Sequence, residues 1–138
     1  MCKAFDYAIE KIQPKCFIKM RMASLYSKSF GDTLSEHFAK HWFQTLFSNI
    51  FTEATTLQLL DMFLLGGWSY LFRVGLAILR VNEGIILDSA FEDVFSCCSV
   101  CIFPSEAGIL KAVRMIELKS DILGRIDRCF ESDSYSNS

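Results

Sequence analysis

Leu60-Asp61-Met62-Phe63-Leu64-Leu65-Gly66-Gly67-Trp68-Ser69-Tyr70-Leu71-Phe72-Arg73-Val74-Gly75-Leu76-Ala77-Ile78-Leu79 is the stretch on which the fold reading turns. Asp61 and Arg73 are its only charges, and Gly66-Gly67 divides it. Upstream, Thr52 to Leu64 predicts a helix wrapped almost all round by Leu57, Leu59, Leu60, Met62, Phe63 and Leu64. Gln58 and Asp61 form its polar strip, so it is expected to be deeply buried. Downstream, Trp68 to Asn82 predicts the most apolar helix, with a thin stripe of Ser69, Arg73 and Arg80. A carboxylate buried on such a helix needs a partner. Arg73 and the N–H groups at the helix start after Gly66-Gly67 are the candidates for Asp61. A general-base role for it has no supporting neighbour.

Working outward, Thr33-Leu34-Ser35-Glu36 is a capping box that opens a helix to about Ile50. Phe38, Ala39, Trp42, Phe43, Leu46, Phe47 and Ile50 cover one side, and His37, Lys40, His41, Gln44 and Ser48 the other. Residues 3–13 read as a short helix ended by Pro14, residues 15–29 as a basic helix, and Phe30-Gly31-Asp32 as a break. On the other flank, Ser89-Ala90-Phe91-Glu92 is a second capping box. Pro104-Ser105 starts a helix through Leu118 with Ile109, Ala112, Val113 and Ile116 inward. Asp121 to Phe130 repeats the pattern, and Ser132 to Ser138 reads as a frayed polar tail. No stretch alternates with period two, so no sheet is expected. The sum is an all-α bundle of about six to eight helices. Its 138 residues suit one domain, and 51% apolar content with 13 Phe supplies a core.

Net charge is −2, which gives no general attraction to nucleic acid. Between Glu10 and Asp32, however, every charge is basic: Lys11, Lys15, Lys19, Arg21 and Lys28. Phe17, Ile18, Met22 and Leu25 are interleaved, so segment 11–28 is a candidate for peripheral contact with a membrane or an acidic partner. Lys3, Asp6 and Glu10 interrupt any signal-peptide core. No uncharged run approaches the roughly 18 to 20 residues of a membrane span. A soluble, cytoplasmic chain is the expectation, and the six cysteines are read as free, mostly buried thiols.

Candidate chemistry is sparse. His37 and His41 stand four apart on one helix face, a metal-ligand spacing, but residue 38 is Phe and not the Glu of HExxH. Cys97, Cys98 and Cys101 contain one CxxC, half a zinc site, with no second CxxC. No P-loop, GxGxxG or GxSxG occurs. The expectation is no metal, no cofactor and no catalytic residue within the chain.

The order of motifs adds a resemblance. His41-Trp42-Phe43-Gln44-Thr45-Leu46-Phe47 resembles the WF-x-x-LF segment of the TBC domain, the family of Rab GTPase-activating proteins. Leu60 to Trp68 resembles its (W/L)D-x-F-x-x-x-G-W segment, and Leu71-Phe72-Arg73-Val74-Gly75-Leu76-Ala77-Ile78-Leu79 its LFRVALAIL helix. On this resemblance the chain divides into N-terminal basic helices (1–31), a part like the C-terminal subdomain of a TBC domain (32–118), and a final helix with a disordered tail (119–138). Trp42, Phe43, Asp61, Gly67, Trp68 and Arg73 are the family positions, with fold-defining roles. His37, His41 and Arg80 are candidate partner contacts. The resemblance implies a Rab-type small GTPase as partner, and hence work in vesicle trafficking at the cytoplasmic face of endomembranes. It also implies a mechanism in which an arginine finger neutralises phosphoryl charge and a glutamine finger orients water. Those fingers come from IxxDxxR and YxQ motifs. Neither occurs here: no tyrosine has Gln two residues on, and Ile85-x-x-Asp88 is followed by Phe91 where Arg is needed. The alternative is a non-catalytic helical scaffolding module with no GTPase partner. In either case the broad apolar faces of 34–50 and 53–64 would need cover, and self-association through them is expected.

Overall fold

A computed structural model describes residues 2–26, 39–48, 50–94 and 106–136, with the backbone alone for residues 2, 41 and 130–136. Among these residues there are eight α-helices and no strand. They are α1 (Cys2–Ile12), α2 (Pro14–Tyr26), α3 (Ala39–Gln44), α4 (Glu53–Gly66), α5 (Trp68–Val81), α6 (Glu83–Asp88), α7 (Glu106–Met115) and α8 (Ser120–Ser136). A 3-10 turn at Phe91–Asp93 follows α6.

Helix α5 is the axle. Residues 71, 72 and 74–79 are all buried, and α1, α3, α4, α6, α7 and α8 all pack on it. Its near-continuous apolar sequence is what permits contact on every side. Helix α1 presents Phe5, Ala8 and Ile9 inward. The Phe5 ring stands edge-on to Phe43 (5.2 Å between centroids) and to Phe72 (5.4 Å), while Phe43 and Phe72 stack at 5.4 Å. Phe5 reaches this position because residue 75 has no side chain. A Cβ there would lie 2.8 Å from the Phe5 Cζ, inside van der Waals contact. Residue 75 and the Phe5 ring therefore share one packing space.

Pro14 opens α2 as well as ending α1: at the first helical position its missing N–H costs nothing. Gln13, buried between the two helices, donates from Nε2 to the Leu76 carbonyl at 2.8 Å.

Three expectations need correction. The helix expected through Ile50 stops at Gln44, and its expected start lies outside the described residues. Phe47 N–H bonds the Trp42 carbonyl (2.9 Å) and Leu46 N–H the Phe43 carbonyl (3.4 Å), the two bonds of a Schellman end. Leu46 and Phe47 take positive φ, 51° and 61°, to make it. The strain, roughly 1–2 kcal/mol per such residue, is offset by burying Phe47 beside Trp42, Phe43 and Phe51.

Helix α4 is not deeply buried. Only Thr55 and Leu59 are enclosed, whereas Leu64 is 73% and Leu65 84% exposed, and Leu57 and Met62 join them on the outer face. Among the described residues the helix packs chiefly on α5, and the side that carries Leu57, Met62, Leu64 and Leu65 stays exposed. The Ser89 hydroxyl donates back to the Ile85 carbonyl at the end of α6, and the helix expected to run from Ser89 into the Cys-rich segment lies largely outside the described residues. Finally, α8 continues past Phe130 to Ser136, where a frayed tail was expected.

Candidate functional site

Two of the family positions, Gly67 and Trp68, form the joint between α4 and α5. Gly66 still belongs to α4, and Gly67 alone makes the turn, with φ 71° and ψ −161°, a region open essentially to glycine. Its N–H caps α4 by bonding the Phe63 carbonyl at 2.7 Å. Across the joint Trp68 meets Phe63 edge-on at 5.2 Å, fixing the angle between the helices. Trp42 and Phe43 lie in the core at the end of α3.

Asp61 and Arg73 are not brought together. Asp61 is exposed on the outer face of α4, in line with Leu57, Leu64 and Leu65. Neither it nor Arg73 forms an ion pair among the described residues, which corrects the expectation of a buried, paired carboxylate. Arg73 is half-buried with its Nε enclosed and unbonded. Arg73 and Arg114 both favour the phenolate of Tyr70, but burial outweighs them and holds that phenol above its ordinary pKa. This places two guanidiniums near one phenol where α5 meets α7. Arg80 is exposed in the last turn of α5. His37 lies outside the described residues, and His41 belongs to α3 by its backbone only.

The start of α4 is held from a distance. The Thr52 hydroxyl accepts from Thr55 N–H as an N-cap. The Glu106 carboxylate then accepts from Thr52 N–H (2.7 Å), from the Thr52 hydroxyl (2.8 Å), and from the Thr55 hydroxyl. A negative group here also faces the positive end of the α4 dipole. These bonds, that from Thr55 first, draw the Glu106 pKa below its usual value. Sequence reading missed this contact because Glu106 also suits the first turn of its own helix, and nothing local announces a partner more than fifty residues away.

The far side carries a second polar group. Tyr7 donates to Asp121 at 2.8 Å, and the Arg125 guanidinium lies 3.8 Å from the Tyr7 ring centre. The Tyr7 bond holds the Asp121 pKa below its usual value. A cavity of about 200 Å³ opens beside it, lined by Lys11, Ile12, Glu117, Lys119, Asp121 and Ile122. Cys16 is a buried free thiol with its pKa pushed up to about 12, chiefly by burial, which leaves it unreactive. Cys129 is half-buried and in no disulfide among the described residues, and Cys97, Cys98 and Cys101 lie outside the described residues. Among the described residues no three His, Cys, Asp or Glu side chains are placed to share a metal ion, and no helix is long and apolar enough to cross a membrane.

An α5 axle, a glycine-only joint and a Trp42-Phe43 core plug make a helical frame. The Rab-GTPase-TBC domain model matches residues 1–87, from α1 almost to the end of α6, and the chain belongs to this family. The match includes α1 and α2, which the motifs alone tie to the family only loosely. Among relatives, the mouse ecotropic viral integration site 5 protein is 26% identical over 88 residues, 64% of this chain and 10% of that protein. The human ecotropic viral integration site 5 protein homolog matches to the same extent. The chain thus spans about a tenth of the length of these relatives. No solved structure matches.

Proposed function

We propose that this chain engages a Rab-type small GTPase as a TBC-family module and does not by itself accelerate GTP hydrolysis. One observation carries the reading: the family match covers α1 to α6, yet its residues include neither IxxDxxR nor YxQ. Loss of an arginine finger alone costs roughly 10³ to 10⁵ in rate. Arg80, exposed at the end of α5, together with His37 and His41, is the proposed contact with the partner. The family positions Trp42, Phe43, Gly67, Trp68 and Arg73 serve the frame. On this reading the protein works in the cytoplasm, at the membranes where its GTPase resides.

The test is a panel of Rab proteins loaded with GTP or GDP, assayed for retention on the immobilised chain and for hydrolysis. Retention of at least one Rab with no change in its hydrolysis rate is the expected result. Clear acceleration refutes the non-catalytic half of the proposal. Retention of none favours a scaffolding module without a GTPase partner.

A further inference from the structure

We infer that the outer face of α2 docks on the surface of an anionic lipid bilayer. The inner face of α2 is Cys16, Met20 and Ala23, all buried. The opposite face is apolar too. At 100° per residue Ile18, Met22 and Leu25 fall within about 60° of one another, and all three are exposed, Ile18 by 58% and Leu25 by 74%. Lys15 borders this strip on one side and Arg21 on the other, both exposed. An apolar strip with flanking cations is the arrangement of a helix that lies in a membrane interface.

The described neighbours of α2 leave this face open. Lys19 Nζ sits 4.6 Å from the Phe91 ring centre, and Tyr26 packs against the same ring at 5.7 Å. The 3-10 turn therefore lies along the Lys19 and Tyr26 edge. Its exposed Glu92 and Asp93 pair with none of Lys15, Lys19 and Arg21. Phe17 turns toward the core and takes no part.

A comparison within the molecule selects the occupant. Helix α4 also exposes leucines, but its charges are Glu53 and Asp61, with no cation. That face suits a protein surface and repels anionic lipid. On α2 the signs are reversed: from Glu10 to Asp32 the chain has no acidic residue. Each cation held near an anionic bilayer raises partition about five-fold, an effect that salt weakens.

The test is flotation of the full chain with phosphatidylcholine vesicles, with and without phosphatidylserine, at low and high salt. No GTPase is added, so the outcome is independent of the Rab reading. Binding to phosphatidylserine vesicles that falls with salt is expected. Lys15→Glu/Arg21→Glu and Ile18→Ser/Leu25→Ser should each weaken it by about ten-fold or more. Leu64→Ser/Leu65→Ser on α4 should leave it unchanged. Circular dichroism confirms that each variant is folded, since all of these side chains are exposed. Absence of binding by the folded chain, equal binding to neutral vesicles, or indifference to both α2 variants overturns the inference. So does capture by immobilised polyglutamate, lost in Lys15→Glu/Arg21→Glu, without vesicle binding; an acidic protein would then be the occupant.

Discussion

Gly75→Ala isolates the contact on which the core is built. In a solvent-exposed helix this change stabilises by about 1 kcal/mol, because glycine is the weaker helix former. Here the added methyl would sit 2.8 Å from the Phe5 Cζ and 3.0 Å from its Cε2. Phe5 is fully buried and wedged edge-on against Phe43 and Phe72, so its ring has no free direction of retreat. Overpacking of that kind costs about 1–3 kcal/mol. The net expectation is a loss of about 1–2 kcal/mol, or a fall of roughly 3–8 °C in Tm. Phe5→Leu withdraws the ring edge at its own cost in buried surface. In that background Gly75→Ala should be neutral or stabilising by about 0.5–1 kcal/mol. Urea unfolding of the four chains, followed by circular dichroism, gives a coupling energy of at least about 1 kcal/mol if the two positions are one unit. Equal effects of Gly75→Ala in both backgrounds would refute the reasoning.

Gly67→Ala is the complementary case, since a Cβ there meets nothing within 4 Å. Its cost of about 1–3 kcal/mol in thermal unfolding should come from backbone conformation alone, and Gly67→Asn should fare no better because ψ is far from the left-handed helical value. Glu106→Gln should lower stability at neutral pH and matter less in acid. The folded-state pKa of Glu106 is lowered, so its contribution is present above the ordinary value of 4.5 and fades as pH falls through the lowered one. Denaturant midpoints of both chains, measured from pH 7 downward, should therefore converge. Leu64→Ser/Leu65→Ser should shift light-scattering mass toward monomer at concentrations where the parent chain self-associates, since both leucines are exposed; a parent chain monomeric throughout would count against that role for α4.

The helices were legible where the pattern is long and one-sided. Trp68 to Asn82 foretold α5 almost to the residue, and Ile109, Val113 and Ile116 point inward as their spacing requires. Legibility failed where a residue answers to something distant. The run Leu57 to Leu64 is equally apolar on all sides, so periodicity could not say which side would find a neighbour. Asp61 went wrong for the same reason: a charge on an apolar helix reads as buried until the helix is seen at the surface. Leu46 and Phe47 carry no glycine or asparagine signal for a helix end, because the burial of Phe47 selects the turn. For the site, Gly67 and Trp68 were readable as a joint. The outward apolar strip of α2 was visible only as mixed composition until Phe17 was seen to leave it.

Helix α1 packs on α2, α5 and α8, and the Tyr7 hydroxyl reaches Asp121. During synthesis these partners arrive in turn. Helix α2 follows at once, whereas α5 completes the pocket for Phe5 only after residue 75, and Asp121 comes later still. At 5–20 residues per second the first helix waits on the order of ten seconds between its own emergence and its last contact. Until α5 has emerged, Phe5 is uncovered hydrophobic surface. Helix α1 is thus a place where the nascent chain is open to chaperones and to aggregation while it waits for α5.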